Sequence, residues 1–420
     1  MAWWTSTSAS LAVAIMVAPA IVHADPLRLR GDALATVQAP AGLMTLEASD
    51  KARPWLDAEA SVWFGAGDET QANALIVAVK LRDPHRRGVL KLGRQVVIAG
   101  ALRPIHVDGA DTLVRLPNRA TVEVFGGIPV EPISAERAWD WVVGARAAQA
   151  IGKASVGFAY LQERDHGELA THEFGLDASA PIGERIDLGG AAALDLINVG
   201  LAEVRASAAW RAKLVRAELF TSYRVPAHLL PATSLFSVLG DVPATRAGAT
   251  GKWRAAPRLD VDATLAIRIA GAEPTDPGVM PIGASVHEDL AAGTRLRLDD
   301  RGVSSLGLEL RRQGAPDGGW TGARGSGRLA LADDWTTSAE LELVVPDDSK
   351  GRGRVWPWAL GAVTWRPSEG WELAGAVEAS ATPQYRSRLD VLVRLSRAWD
   401  LLAPDRPQAR SGALAKRGVP

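Results

Sequence analysis

The feature that most constrains this chain is an alternation of period two, kept over segment after segment. In Arg258–Ile269, Leu259, Val261, Ala263, Leu265, Ile267 and Ile269 fall on one face. Arg258, Asp260, Asp262, Thr264, Ala266 and Arg268 fall on the other. Successive side chains of a strand point to opposite faces of its sheet, so this segment reads as a strand with one apolar and one charged face. The pattern recurs. Leu389, Val391, Val393 and Leu395 oppose Arg388, Asp390, Leu392 and Arg394. Leu306, Leu308 and Leu310 oppose Ser305, Gly307, Glu309 and Arg311. Leu56, Ala58, Ala60, Val62 and Phe64 oppose Asp57, Glu59, Ser61 and Trp63. Leu75, Val77, Val79 and Leu81 oppose Lys80 and Arg82, and Ile186, Leu188, Ala192, Leu194 and Leu196 oppose Asp187 and Asp195. Such segments run about ten residues, the length of a tilted membrane-crossing strand, whereas strands of soluble proteins run nearer five or six.

The turns supply a second period. Short polar connections fall at Asp83–Gly88, Pro117–Arg119, Ala150–Lys153, Pro181–Glu184, Arg211–Lys213, Arg254–Pro257, Asp299–Gly302, Asp333–Asp334 and Arg366–Gly370. About two strand lengths separate them, as an up-and-down meander requires. The intervening connections vary more; Val225–Thr245 and Ala272–Ala292 are long and carry Pro and Gly. Short turns on one side and longer loops on the other are the asymmetry of outer-membrane barrels, and hairpin counting predicts about 18 to 22 strands. The predicted fold class is all-β: a single large antiparallel up-and-down transmembrane β-barrel.

Residues 1–24 read as a signal peptide. Leu11–Val22 is apolar but short for a membrane span, and Val22-His23-Ala24 suits a cleavage site, although the first ten residues hold no Lys or Arg. No other apolar segment approaches the roughly 20 residues of a spanning helix, so entry into a membrane must be by strands. The expected organisation is a signal peptide at 1–24, a barrel at 25–399 and a disordered polar tail at 400–420, with Trp399 ending the last strand.

Composition narrows the partners. With 47 Lys+Arg against 48 Asp+Glu there is no basic surplus to neutralise nucleic-acid phosphates. The absence of cysteine excludes disulfides, thiolate metal sites and a lipid-modified N-terminal Cys. Trp is the commonest aromatic, at 15 against 6 Phe and 3 Tyr, which suits a belt at a membrane interface. Trp253, Trp335, Trp365 and Trp371 stand beside short turns, and Trp139, Trp141, Trp320, Trp356 and Trp358 near other strand ends, so all are expected in the girdle. The apolar faces are rich in Ala and Gly. Lipid fills the gaps beside such a face, whereas the core of a soluble secreted β-sandwich, the weaker alternative, would hold voids.

Catalytic and ligand motifs do not emerge. The seven His match no metal spacing. Gly322–Gly327 is followed by no Lys-Ser/Thr, no G-x-S-x-G elbow exists, and Ser285 and His287 have nothing to orient them. Asp299–Asp300, Asp333–Asp334 and Asp347–Asp348 read as turn residues. No enzyme activity, cofactor or metal is therefore expected.

Lys91–Gly109 is more distinctive, with Gly93-Arg94-Gln95, then Arg103, then Val107-Asp108-Gly109. It resembles an early strand of outer-membrane porins of the alginate-export type. The resemblance implies a large single-chain barrel with a charged lumen, and places Arg94, Arg103 and Asp108 in the lumen or in a loop that narrows it. Strict alternation instead puts Arg94 on the face of Leu90, Leu92, Val96 and Ile98, where a mid-membrane charge costs roughly 2–4 kcal/mol. A β-bulge near Gly93 would return it to the lumen; otherwise it lies near the interface.

The function expected from this reading is a porin-like channel in the outer membrane of a Gram-negative bacterium, contacting lipid outside and passing small hydrophilic solutes by passive diffusion. Arg94, Arg103, Asp108, Asp260, Asp262 and Arg268 are the candidates for its lumen or constriction. The alternative is a non-conducting barrel acting as a surface scaffold or export partner, with loops 225–245 and 272–292 contacting another protein.

Overall fold

A computed structural model describes residues 27–36, 42–53, 55–66, 70–85, 87–130, 140–225, 243–271, 284–315, 318–347, 355–381 and 387–401. The expected signal peptide at 1–24, the tail beyond 401 and Trp139 lie outside these residues. Every regular element among the described residues is a strand: β1 (Leu27–Thr36), β2 (Gly42–Arg53), β3 (Leu56–Ala66), β4 (Thr70–Arg82), β5 (Gly88–Val97), β6 (Ile105–Arg115), β7 (Ala120–Pro129) and β8 (Trp141–Ile151). There follow β9 (Ala154–Asp165), β10 (Glu168–Ile182), β11 (Ile186–Asp195), β12 (Gly200–Arg211), β13 (Val215–Arg224), β14 (Ala244–Ala256) and β15 (Leu259–Ala270). The last are β16 (Ser285–Arg297), β17 (Ser305–Gly314), β18 (Trp320–Ala330), β19 (Trp335–Pro346), β20 (Trp356–Trp365), β21 (Trp371–Ser380) and β22 (Arg388–Leu401).

Each strand pairs antiparallel with the next in one 22-stranded sheet. The first and last strands then pair with each other, from Leu27↔Leu401 to Thr36↔Leu392. The ring is closed, so the sheet has no free outer edge. The strand count falls at the upper limit of the sequence expectation. With 22 strands about 4.8 Å apart and tilted by about 40°, the ring is about 45 Å across between backbones.

All nine short turns join an even-numbered strand to the following odd-numbered one. They therefore share one end of the barrel, the turn end, with the start of β1 and the finish of β22. The other connections share the opposite, loop end. Two of them are shorter than the sequence suggests: β14 begins at Ala244 and β16 at Ser285, so 285–292 is strand. There Glu288 and Ala292 share a face with Val286 and Leu290, which blurs the alternation.

The apolar faces point outward, where Leu265, Ile267, Ile269, Leu306, Leu308 and Leu310 are all exposed. Trp253, Trp335, Trp365 and Trp371 lie on that face at the turn end, joined by Trp210 and Trp399. Trp335 and Trp365 are register partners and stack at 5.6 Å. Trp141 faces outward at the loop end. Trp320, Trp356 and Trp358 do not belong to the girdle. They occupy even positions in strands whose odd positions carry the outer face, so they point into the barrel; nearness to a strand end does not fix the face. Trp320 Nε1 donates to Gln313 Oε1 and Trp358 Nε1 to Glu378 Oε1, both at 2.8 Å.

A wall one strand thick has no dry interior. Yet Val97, Ala99, Leu102, Ile105, Val107, Phe125, Val142, Ala159 and Leu161 form a buried apolar cluster. A second layer must cover the wall at this sector.

Candidate functional site: a hairpin folded into the barrel

The second layer is the tip of the β5–β6 hairpin. The β4–β5 ladder runs from Arg82↔Val89 only to Val77↔Arg94, although β4 begins at Thr70. The β7–β8 ladder stops at Gly127↔Val142. Meanwhile β5 stays paired to β6 as far as Val97↔Ile105, and β6 to β7 as far as Val107↔Pro129. The loop-end tips of these strands have left the wall together.

The bend follows a row of glycines. Gly93 pairs with Gly109, and Gly109 with Gly127. A Cβ on Gly109 would lie 2.0 Å from the Gly126 carbonyl oxygen, and one on Gly93, whose φ is +116°, 2.1 Å from the Val77 oxygen. Side chains there would collide with the neighbouring backbone, so the sheet folds sharply only because the row has none.

Beyond the row, the inward-folded flap (residues 94–108) lies over the inner faces of β7 to β10. Its connecting turn, Ile98–Pro104, is closed by the Leu102 N–H donating to the Ala99 carbonyl at 3.2 Å. Gly175 on β10 leaves room for Leu102 and Ala101; a Cβ there would be 3.1 Å from Leu102 Cδ2. Gly100 sits on the Arg146–Asp177 ion pair, whose N–O distance is 2.7 Å. Arg146 and Asp177 occupy the middle of β8 and β10, so the tip reaches about half the height of the barrel.

An ionic latch holds the flap. Arg103 Nη2 donates to Glu163 Oε2 at 3.0 Å, and its Nε lies 3.5 Å from Glu173 Oε1. Thr171 Oγ1 donates to the same Glu163 oxygen at 2.8 Å. The Arg103, Glu163 and Glu173 side chains are only 14%, 15% and 3% exposed. One guanidinium thus stands between two largely desolvated carboxylates.

At the base of the flap, Arg94 Nε and Nη2 donate to the two Asp108 oxygens, each at 2.7 Å. Its Nη1 donates to Asn73 Oδ1 at 2.8 Å and to the Ala74 carbonyl at 2.9 Å. His106 Nε2 is 2.6 Å from the Leu75 carbonyl oxygen. These side chains occupy bonding positions on the β4 edge that β5 has vacated. The bulge anticipated at Gly93 is absent: neither ladder of β5 shifts register there. The irregularity lies on β4, where Leu75 is skipped between Ser61↔Ile76 and Val62↔Ala74. Arg94 keeps its outer-face parity, and bidentate pairing in the seam compensates its charge.

The candidate residues thus divide. Arg94, Arg103 and Asp108 belong to the flap and its base. Asp260, Asp262 and Arg268 line the inner face of β15, five strands from β10, and take no part in it. Asp260 pairs with Arg297 at 2.5 Å and Arg254 at 3.4 Å. Asp262 stands opposite Lys252 and Gly293, and Arg268 opposite Arg246 and His287. Sequence reasoning missed Arg146, Glu163, Glu173 and Asp177. The available signal was the run Ile98-Ala99-Gly100-Ala101-Leu102, apolar where a water-facing loop would be polar. At the loop end, ligand-type atoms of Asp140, Asp165 and His166 lie within 4.8 Å of one another. The group already closes its own loops: the His166 N–H donates to Asp140 Oδ1 at 2.7 Å, and the His166 ring bonds Asp165.

No family model matches this sequence, and no curated protein matches it. Solved structures do. The siderophore receptor PirA from Pseudomonas aeruginosa matches with a TM-score of 0.60 at 10% identity, over 89% of this chain and 80% of that one. The fold is that of the large outer-membrane β-barrels. The ferric enterobactin receptor PfeA matches at 0.61 and 9% identity, over 89% and 82%. The ferric citrate transporter FecA matches at 0.54 and 11%, over 90% and 79%. These likenesses do not support the alginate-export-type resemblance of Lys91–Gly109.

Proposed function

We propose that this protein is an outer-membrane channel that passes small hydrophilic solutes through the lumen beside the flap. The observation that carries this reading is a closed ring with a charged inner face, narrowed at mid-height by a hairpin held through Arg103. A ring of 22 strands is wider than the 16–18-stranded porins, so a channel of useful selectivity needs such an internal narrowing. The lining mixes both signs in pairs such as Arg324–Glu340 and Arg394–Glu372, which favours weak ion selectivity. The structural matches include receptors and transporters for small solutes, a class that suits the reading.

The strand number favours one other reading. Barrels of 22 strands include transporters whose lumen is plugged, so a ligand-specific uptake receptor is the competing function. Planar-bilayer recording of the refolded chain separates the two. Discrete steady conductance is the expected result. No conductance from protein that shows heat-modifiable gel migration overturns the passive channel and leaves the receptor or a surface scaffold.

A further inference from the structure

We propose that Arg397, with Trp371 and Trp399, binds the phosphate of a phospholipid headgroup at the turn-end membrane interface. The inference rests on membrane placement of the barrel and is independent of whether the barrel conducts. On β22 the exposed Leu389, Val393 and Leu395 mark the outward face, and Arg397 and Trp399 continue the same row. The register partners of Arg397 are Trp371 on β21 and Gly31 on β1. Trp371 is the first residue of its strand, directly after the turn at 366–370, so the site lies at the level of the outward Trp girdle.

The guanidinium carbon is 4.2 Å from the centroid of the Trp371 ring and 4.7 Å from that of Trp399. The other cation–ring contacts among the described residues pair one Arg with one ring. Inward-facing neighbours are neutralised: Arg394 pairs with Glu372, and Arg388 with Asp390. Arg397 pairs with no carboxylate among the described residues. Two indoles beside a guanidinium stabilise its charge and restrict its orientation, and leave N–H donors to face an anion. Those donors match two phosphate oxygens. Gly31 adds no side chain on the β1 flank, which keeps that approach open. A cation on the lipid face near the interface is tolerated because headgroups supply counter-charge there.

Native mass spectrometry of the refolded full chain in uncharged detergent tests this. The probes are phosphatidylglycerol, a galactosyl diacylglycerol without phosphate, and inorganic phosphate. Wild type is expected to retain phosphatidylglycerol at least fivefold better than the galactolipid. Arg397→Gln, which keeps much of the stem but not the charge, should lose that preference, and Arg397→Lys should keep part of it. Both variants should retain heat-modifiable migration. Equal retention by wild type and Arg397→Gln overturns the site, as does equal retention of the two lipids. Full displacement of the phospholipid by millimolar inorganic phosphate overturns the headgroup assignment in favour of a free-anion site. If Arg397→Gln fails to fold, the Trp371→Leu variant is measured instead, with the same loss of preference expected and unchanged preference overturning the proposal.

Discussion

The sector from β5 to β10 and the sector from β16 to β22 are made of similar strands, yet one has a dry core and the other does not. In the first, Phe125 is 2% exposed and Leu161 0%, because the flap covers the inner wall. In the second, no described apolar side chain is buried; the most enclosed side chains are those of Ser305, Thr336 and Ser396. Its inner face is held by ion pairs such as Arg324–Glu340 and Arg366–Glu372. The wall sector has no second layer on either side of its single sheet. The flap sector packs like a small soluble domain set within the ring. Similar substitutions should therefore have different consequences in the two.

Glycine gives the sharpest contrast. Gly109→Ala places a methyl 2.0 Å from a backbone oxygen in the bend, whereas Gly325→Ala on β18 meets nothing within 4 Å. Overpacking against backbone that must shift costs about 3 kcal/mol, while an unobstructed surface change stays within about 0.5 kcal/mol. Urea unfolding of the two variants, followed by Trp fluorescence in micelles, measures the difference. Equal effects would mean that the glycine row is not a hinge.

The latch comes next. Arg103→Ala leaves Glu163 and Glu173 facing each other with little water, which should cost about 2–3 kcal/mol. Arg324→Ala breaks a pair whose side chains are 30% and 29% exposed, and should cost under about 1 kcal/mol. Releasing the flap also widens the lumen, so Arg103→Ala should raise the unit conductance while Arg324→Ala leaves it near wild type. An unchanged conductance in Arg103→Ala would show that the flap does not narrow the path.

The wall sector was legible in the sequence and the flap sector was not, for a physical reason. In β15 and β22 one face points out of the ring and the other into it, so alternation reports both faces directly. In β5 and β6 the tips turn away from the wall, and the face of Gln95, Val97, Ile105 and Val107 becomes a protein–protein contact. Alternation still holds along those strands, but it no longer tells the outside of the ring from the lumen. Parity alone puts Arg94 on the face of Leu92 and Val96, but its bond to Asn73 was not legible, because the separation of β5 from that end of β4 depends on the bend. The hinge itself needs the register Gly93↔Gly109↔Gly127, which pairs residues far apart in the chain. The same limit explains Trp358: its sequence position near a strand end was plain, but its face followed only from the pairing with Glu342.

The smallest effect is expected at a turn that joins two wall strands. Asp299, between β16 and β17, accepts the N–H of Ser304 at 2.5 Å and that of Val303 at 2.9 Å. The Ser304 backbone N–H, reinforced by the Ser304 hydroxyl, holds its carboxyl below the ordinary 3.8. A carboxyl whose pKa is lower folded than unfolded stabilises the fold above its unfolded value, and that contribution fades as pH falls through the folded one. The urea midpoint of wild type should thus exceed that of Asp299→Asn slightly at neutral pH, with the gap closing below 3.8. Conductance should not change, since this turn touches no part of the flap. A midpoint difference that persists unaltered into acid would assign the turn's stability to hydrogen bonding independent of charge. A conductance change would instead show that the two sectors are coupled around the ring.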